Sequence, residues 1–192
     1  MKKAGIILDK EMNMPPPSET KMSTKIFICG YARHGKDYMA EVLRNLYGFK
    51  FDSSSMFAMK MVVREGLAVR HGLKYSSEAE CYADRVNHRS KWFDLICEFN
   101  KEDPARLARL MFKENNIYVG IRNIIELNAA KAAGLADLVI WVDATERIGT
   151  IESKESNTIT AEDCDFIITN NGTKEEFVQK VGRIFGKLHF YG

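Results

Sequence analysis

Short apolar runs at residues 25–29, 49–51, 117–119, 138–142 and 165–168 alternate with stretches in which apolar positions recur every three or four residues. Runs of this length bounded by turn residues suit strands buried on both faces, and the longer periodic stretches suit helices. Ala40, Leu43 and Leu46 mark one helix ending at Gly48, and residues 123–133 another stopped by Gly134. Phe177, Val181, Ile184, Phe185 and Leu188 give a closing helix its stripe, with Thr173 as its cap and acids behind it. Residues 56–113 are helical in pattern, with turns expected near Gly66, Gly72 and Pro104 and an apolar face of Met56, Met59, Met61, Val62 and Val63. Strands alternating with helices predict an α/β fold, three layers around a central parallel sheet, with a helical insert at about 54–115.

The first run leads into Gly30-Tyr31-Ala32-Arg33-His34-Gly35-Lys36-Asp37, followed at once by a helical pattern. This is the P-loop spacing G-x-x-x-x-G-K-[ST], with Asp37 in the hydroxyl's place. The glycines let successive N–H groups converge on phosphate oxygens, and the next helix points its positive end at them. Gly30, Arg33, His34, Gly35, Lys36, Asp37 and Tyr38 are therefore the expected nucleotide contacts. Lys36 would bring a positive charge to the β- and γ-phosphates, and Asp37 would bind Mg²⁺ directly or through water.

Composition adds bounds. The 192 residues are 45% hydrophobic and 28% charged, an ordinary make-up for one domain, and the net charge of +2 gives no general polyanion-binding surface. Cys29, Cys81, Cys97 and Cys164 lie far apart, which predicts reduced thiols in a cytoplasmic protein and argues against a zinc site. Residues 1–22 carry too short an apolar run for a signal peptide and include Pro15-Pro16-Pro17, so a flexible tail is expected before a domain at 23–192. No window suggests a membrane span.

Several further residues carry candidate chemistry. Asp52, at the end of the 49–51 strand, is placed to serve as a general base for an attacking hydroxyl; alternatively it, or one of Ser53 to Ser55, caps the next helix. Between residues 60 and 91, seven Lys or Arg oppose four acids, which suits an anionic acceptor or a solvated helix face. Arg85 and Arg89 are four apart and are expected to share a helix face, with His88 beside them; Trp92 can stack on a base or fill the core. Arg122 follows the third strand and faces the same crevice, unless Glu126 pairs with it four residues on. Residues 138–143 end in Asp143, a weak Walker B pattern, and Arg147 is placed to clamp phosphates above a lid loop at 149–163. Asn171, in the turn after the last strand, can reach an adenine edge. Asn100-Lys101-Glu102-Asp103 spells the guanine-reading N-K-x-D, but helical spacing precedes it and no D-x-x-G lies upstream, so a molecular switch is rejected.

The G-K-D loop ending, Gly120 with Arg122, Ala132-Ala133-Gly134, and Asp165-Phe166-Ile167-Ile168-Thr169-Asn170-Asn171-Gly172 together resemble the phage deoxynucleoside monophosphate kinase group of P-loop kinases, over nearly all of residues 25–188. Ala83-Asp84-Arg85, His88-Arg89, Trp92, residues 117–122 and Glu126 look more like the phage kinases that phosphorylate 5-hydroxymethyl-deoxyuridine in DNA. Free-nucleotide kinases of the group usually carry Asp where this chain has Gly120. The resemblance implies a P-loop NTPase fold and ATP with Mg²⁺ as cofactors. It implies catalysis by Lys36, Asp52 and Arg122, closure by Arg147, and an acceptor site of Arg85, His88, Arg89, Trp92, Arg122 and Glu126. The implied partner is DNA carrying 5-hydroxymethyluracil, or else a free deoxynucleotide, in the host-cell cytoplasm; a homodimer is compatible with it. A third reading is an ATP-binding interaction module without phosphotransfer.

Overall fold

The computed structural model describes residues 24–149 and 157–190, with side chains to residue 186; the expected tail and part of the expected lid loop lie outside that range. A five-stranded parallel sheet forms the middle layer, in the order β2-β3-β1-β4-β5. Its strands are β1 (Ile26–Cys29), β2 (Phe51–Ser53), β3 (Ile117–Val119), β4 (Leu138–Asp143) and β5 (Phe166–Thr169). The helices are α1 (Lys36–Tyr47), α2 (Ser54–Ala58), α3 (Arg64–His71), α4 (Glu78–Ala83), α5 (Arg89–Phe99), α6 (Arg106–Met111), α7 (Ile124–Ala132), α8 (Thr145–Ile148) and α9 (Lys174–Phe190).

Alternation along the central strands sends side chains to opposite faces. Phe27, Cys29, Tyr118, Val139 and Trp141 face the insert and α7, where Met59, Val63, Leu67, Leu95, Leu107 and Leu127 meet them. Ile26, Ile28, Ile117, Val119, Ile140 and Val142 face α1 and α9, packing on Met39, Leu43, Phe177, Val181 and Phe185. Each fully buried Ile, Leu or Phe contributes roughly 1.5–3 kcal/mol of apolar transfer free energy, which is why the strands read as continuous apolar runs. Among the described residues no helix is long and apolar enough to cross a membrane.

Two expectations change in the insert. Gly66 is not a turn: it lies within α3, where a Cβ would come to 2.5 Å from Leu95 Cδ2, so the missing side chain lets α5 pack close. Ahead of it, Met59–Val63 form a π-helical turn joining α2 to α3. Gly72 does end α3, with φ of 67°. The second strand also sits two residues later than expected. The Lys50 carbonyl accepts the Asn116 and Ile117 N–H groups, and Phe51 then pairs with Ile117.

Candidate active site at the carboxyl edge of the sheet

β1 has β3 on one side and β4 on the other, so the chain departs from neighbouring strands in opposite directions around it. That switch point leaves a crevice outside the carboxyl ends of the strands. The loop after β1 lies there. Gly30 takes φ of 137°, and a Cβ on it would sit 2.5 Å from the Val142 carbonyl oxygen; Arg33, also in the loop, takes φ of 65° and is exposed. Gly35, with φ of 99°, forms the N-cap of α1 without any side-chain cap bond. The first N–H groups of a helix have no intrahelical partner, so an uncapped α1 start presents donors and a positive dipole end to an anion.

Lys36 is 8% exposed, and its Nζ donates to the Tyr31 carbonyl at 2.6 Å, folding the ammonium over the loop. Its Cε would lie 3.8 Å from a Cβ on Gly120, so its stem runs beside the end of β3. Gly120 has φ of 85°, a conformation that favours glycine. Asp37 is exposed in the first turn of α1. One exposed carboxylate beside an anion-binding helix start fits Mg²⁺, which is commonly held by one or two carboxylates plus substrate phosphates. Among the described residues no three His, Cys, Asp or Glu side chains converge as a protein-only metal site.

The His34 side chain belongs to the scaffold of the loop. The ring is fully buried, Nδ1 accepts the Ala144 N–H at 2.9 Å, and Nε2 lies 3.0 Å from the Gly149 carbonyl, where it is the donor. The imidazole thus bolts the loop to the end of β4 and is not turned towards phosphate. The Tyr38 ring stacks on Phe177 at 5.9 Å and lies under Lys174, within the packing of α1 on α9. Asn170, which sequence reasoning passed over, donates from Nδ2 to the His34 carbonyl at 2.9 Å and presses against Gly35. Nothing local marks Asn170 over its neighbour; only β5 brings it under the loop. Asn171 lies in the turn after it, with Oδ1 buried and unpaired.

Asp52 pairs with Tyr118 in the sheet, and Tyr118 with Phe27, so its side chain emerges on the insert side, set back from the rim. It is 28% exposed, accepts the Ser53 N–H at 2.8 Å and faces Lys60 Nζ at 3.8 Å. Ser53, not Asp52, caps α2, its hydroxyl accepting the Met56 N–H at 3.1 Å. Ser54 Oγ donates to the Gly120 carbonyl at 3.1 Å, tying the insert to the end of β3. Cys29 lies beneath the loop, where a hydrogen bond with the Cys164 thiol, together with burial, pushes it well above the ordinary thiol range.

The expected helix face shared by Arg85 and Arg89 does not form. Arg85 lies in a 3-10 turn, Asp84–Asn87, and α5 starts only at Arg89, so the two arginines do not share a helix face. The break is at His88, with φ of −129°. Arg85 donates to Ser55 Oγ at 2.5 Å and lies over the Tyr82 and Trp92 rings. His88 Nε2 sits 3.1 Å from Asp84. Hydrogen bonds from Asn87 and Tyr75, with His88 nearby, hold the Asp84 carboxyl below its usual value. Arg89 is exposed. Trp92 is 3% exposed and fills the core against Tyr82, its Nε1 buried without a partner.

Arg122 follows β3, and its carbonyl accepts the Thr158 N–H at 2.9 Å. Glu126 accepts from Asn100 Nδ2 at 2.9 Å, and burial pushes its carboxyl above the usual value. That bond, and the Leu107 N–H on Asn100 Oδ1, give the N-K-x-D asparagine a structural role at the end of α5. Asp143 ends β4 and accepts the Thr145 N–H and hydroxyl. Arg147, on α8, donates from Nε to the Asn170 carbonyl at 3.2 Å, which holds it beside the loop.

Strand order, the glycine-bearing loop after β1 and the uncapped α1 define a three-layer α/β P-loop NTPase fold. No protein-family model matches the chain, and no curated protein does. Among solved structures it is similar to shikimate kinase from Aquifex aeolicus, at 14% identity over 88% of this chain and 100% of that one, with a TM-score of 0.44. Dephospho-CoA kinase from Campylobacter jejuni matches at 15% identity over 85% and 96%, with a TM-score of 0.48. A gluconokinase from Sinorhizobium meliloti matches at 12% over 88% and 97%, with a TM-score of 0.44.

Proposed function

We propose that this chain is an ATP-dependent phosphotransferase that moves the γ-phosphate to the hydroxymethyl group of 5-hydroxymethyl-deoxyuridine in DNA. The observation that carries this reading is the pairing of two features towards the carboxyl ends of the strands. One is a lysine-bearing phosphate loop with an uncapped helix start; the other is Asp52, a partly exposed carboxylate that no longer has a capping duty. Phosphoryl transfer asks a protein mainly for positioning and charge stabilisation. The Gly30–Gly35 turn and the α1 N-terminus hold the phosphates, Lys36 offsets charge on the transferred group, and Arg147 covers it. Asp37 would hold Mg²⁺, which would supply positive charge against the phosphates. Asp52 takes the hydroxymethyl proton as that oxygen bonds to phosphorus and ADP leaves. Arg122, Arg89 and Arg85 hold the acceptor's phosphates, Arg85 already braced by Ser55.

A hydroxyl acceptor benefits from a base, whereas a nucleoside monophosphate attacks with an oxygen already anionic at neutral pH. Gly120 points the same way, since the resemblance places Asp there in free-nucleotide kinases. The test is transfer of labelled phosphate from ATP to three acceptors: DNA with 5-hydroxymethyluracil, the same DNA with thymine, and free deoxynucleoside monophosphates. Label is expected on the modified DNA alone and is expected to vanish in Lys36→Ala. Efficient labelling of free nucleotides with unlabelled DNA would replace this reading with the free-nucleotide kinase. ATP binding without transfer to any acceptor would leave the interaction module.

A further inference from the structure

Beyond the acceptor arginines, the insert gathers positive charge at a second place. Lys60, Arg64, Glu65, Ala68, Lys74 and Tyr75 line an open groove of about 430 Å³, with three cations against one acid. Lys60 lies in the π-helical turn and Arg64 opens α3, and both side chains reach the groove. The far wall is built. Arg64 donates to the Tyr75 carbonyl at 3.1 Å, and the Tyr75 hydroxyl donates to Asp84 at 2.8 Å, pinning the ring. Lys74 is exposed and has no partner among the described residues. Lys60 belongs both to this groove and to Asp52, whose carboxylate lies 3.8 Å from its ammonium.

We infer that this groove is a binding site for the phosphodiester backbone of the DNA strand flanking the acceptor nucleotide. The inference rests on the reading that the acceptor is carried in DNA. A group of cations beside a fixed aromatic ring suits single-stranded nucleic acid, where charge tracks the backbone and rings take stacked bases. The shared Lys60 sets the groove against Asp52, so a strand lying in it delivers its neighbouring nucleotide to the reacting edge. A free mononucleotide has no second phosphate to fill this groove.

The experiment is fluorescence anisotropy of a single-stranded oligonucleotide containing 5-hydroxymethyluracil, titrated with the full chain at several salt concentrations. Each phosphate contact contributes about 0.9 to the slope of log affinity against log salt, nearer 0.7 for single strands. Lys74→Gln should lower that slope by about 0.7, one single-strand contact, and weaken binding several-fold at low salt. Lys113→Gln, an exposed lysine outside the groove, should change neither. Circular dichroism checks that both variants fold, and ATP affinity should be unaltered in both. Equal slopes for wild type and Lys74→Gln, or an equal fall in Lys113→Gln, would overturn the groove while leaving DNA as acceptor intact. A Lys74→Gln defect confined to free 5-hydroxymethyl-dUMP would overturn it as well. Absence of salt-dependent DNA binding by the wild type would instead remove the DNA reading itself, and the groove with it.

Discussion

Asp52 is held by its own strand and by one lysine, and both contacts bear on what it can do. The Ser53 N–H occupies Oδ1, while Oδ2 faces Lys60. Replacing Asp52 with Asn keeps an oxygen for that N–H and leaves the α2 cap on Ser53 undisturbed. Asp52→Asn should therefore fold normally and bind ATP as the wild type does, yet lower kcat by about 10²- to 10⁴-fold, the usual scale of acid–base catalysis. Steady-state kinetics with modified DNA checks this, and an unchanged kcat would return Asp52 to a structural role. Asp52 could be picked out in the chain as a carboxylate near a strand end. That Ser53 and not Asp52 caps the helix could not be, because an acid followed by three serines offers four acceptable caps and only the backbone path selects one.

At the scale of elements, the loop and α1 work because two glycines do what other residues cannot. Gly30 combines φ of 137° with a Cβ position 2.5 Å from the Val142 carbonyl, in the neighbouring strand. Gly48, which closes α1 with φ of 74°, has open space around its Cβ position. Gly30→Ala should lose about 1–3 kcal/mol from backbone strain alone and more from the clash with β4, together with nucleotide affinity. Gly48→Ala should cost about 1 kcal/mol and leave nucleotide binding intact. Urea denaturation and ATP titration separate the two. Equal losses would mean that the Gly30 turn is not pressed against β4. The G-x-x-x-x-G-K spacing makes this element visible in the chain, since the motif is local. The π-helical turn at Met59–Val63 was not visible, for nothing in that apolar run distinguishes it from α-helix.

Across the whole molecule, α5 and α7 are joined by the bond from Asn100 to Glu126. Burial pushes the Glu126 carboxyl upwards, with the Asn100 amide pulling the other way. A carboxyl raised on folding contributes stability that is complete below its unfolded value, about 4.3, and is lost as pH rises through the folded value. Glu126→Gln keeps an oxygen for Asn100 and removes the titration. Its melting temperature should gain on that of the wild type as pH rises from about 4 to 7. A difference independent of pH would mean that Glu126 is not the group responsible.

The chain by itself determined the layers of this protein and the phosphate loop. Buried parallel strands must be apolar throughout, their connecting helices must repeat every three to four residues, and a backbone turn around phosphate needs glycine at fixed local offsets. These are short-range requirements, so Ile26–Cys29, Leu138–Asp143 and Lys36–Tyr47 are legible residue by residue. Tertiary structure alone decided which polar groups meet. It parted Arg85 from Arg89 at His88, turned the His34 imidazole into the core, buried Trp92 and set Asn170 beneath Gly35. It also brought Lys74 alongside Lys60 and Arg64. Such pairings depend on how helices of the insert stack, as Gly66 against Leu95 illustrates, and stacking is a property of surfaces distant in sequence that no local pattern records.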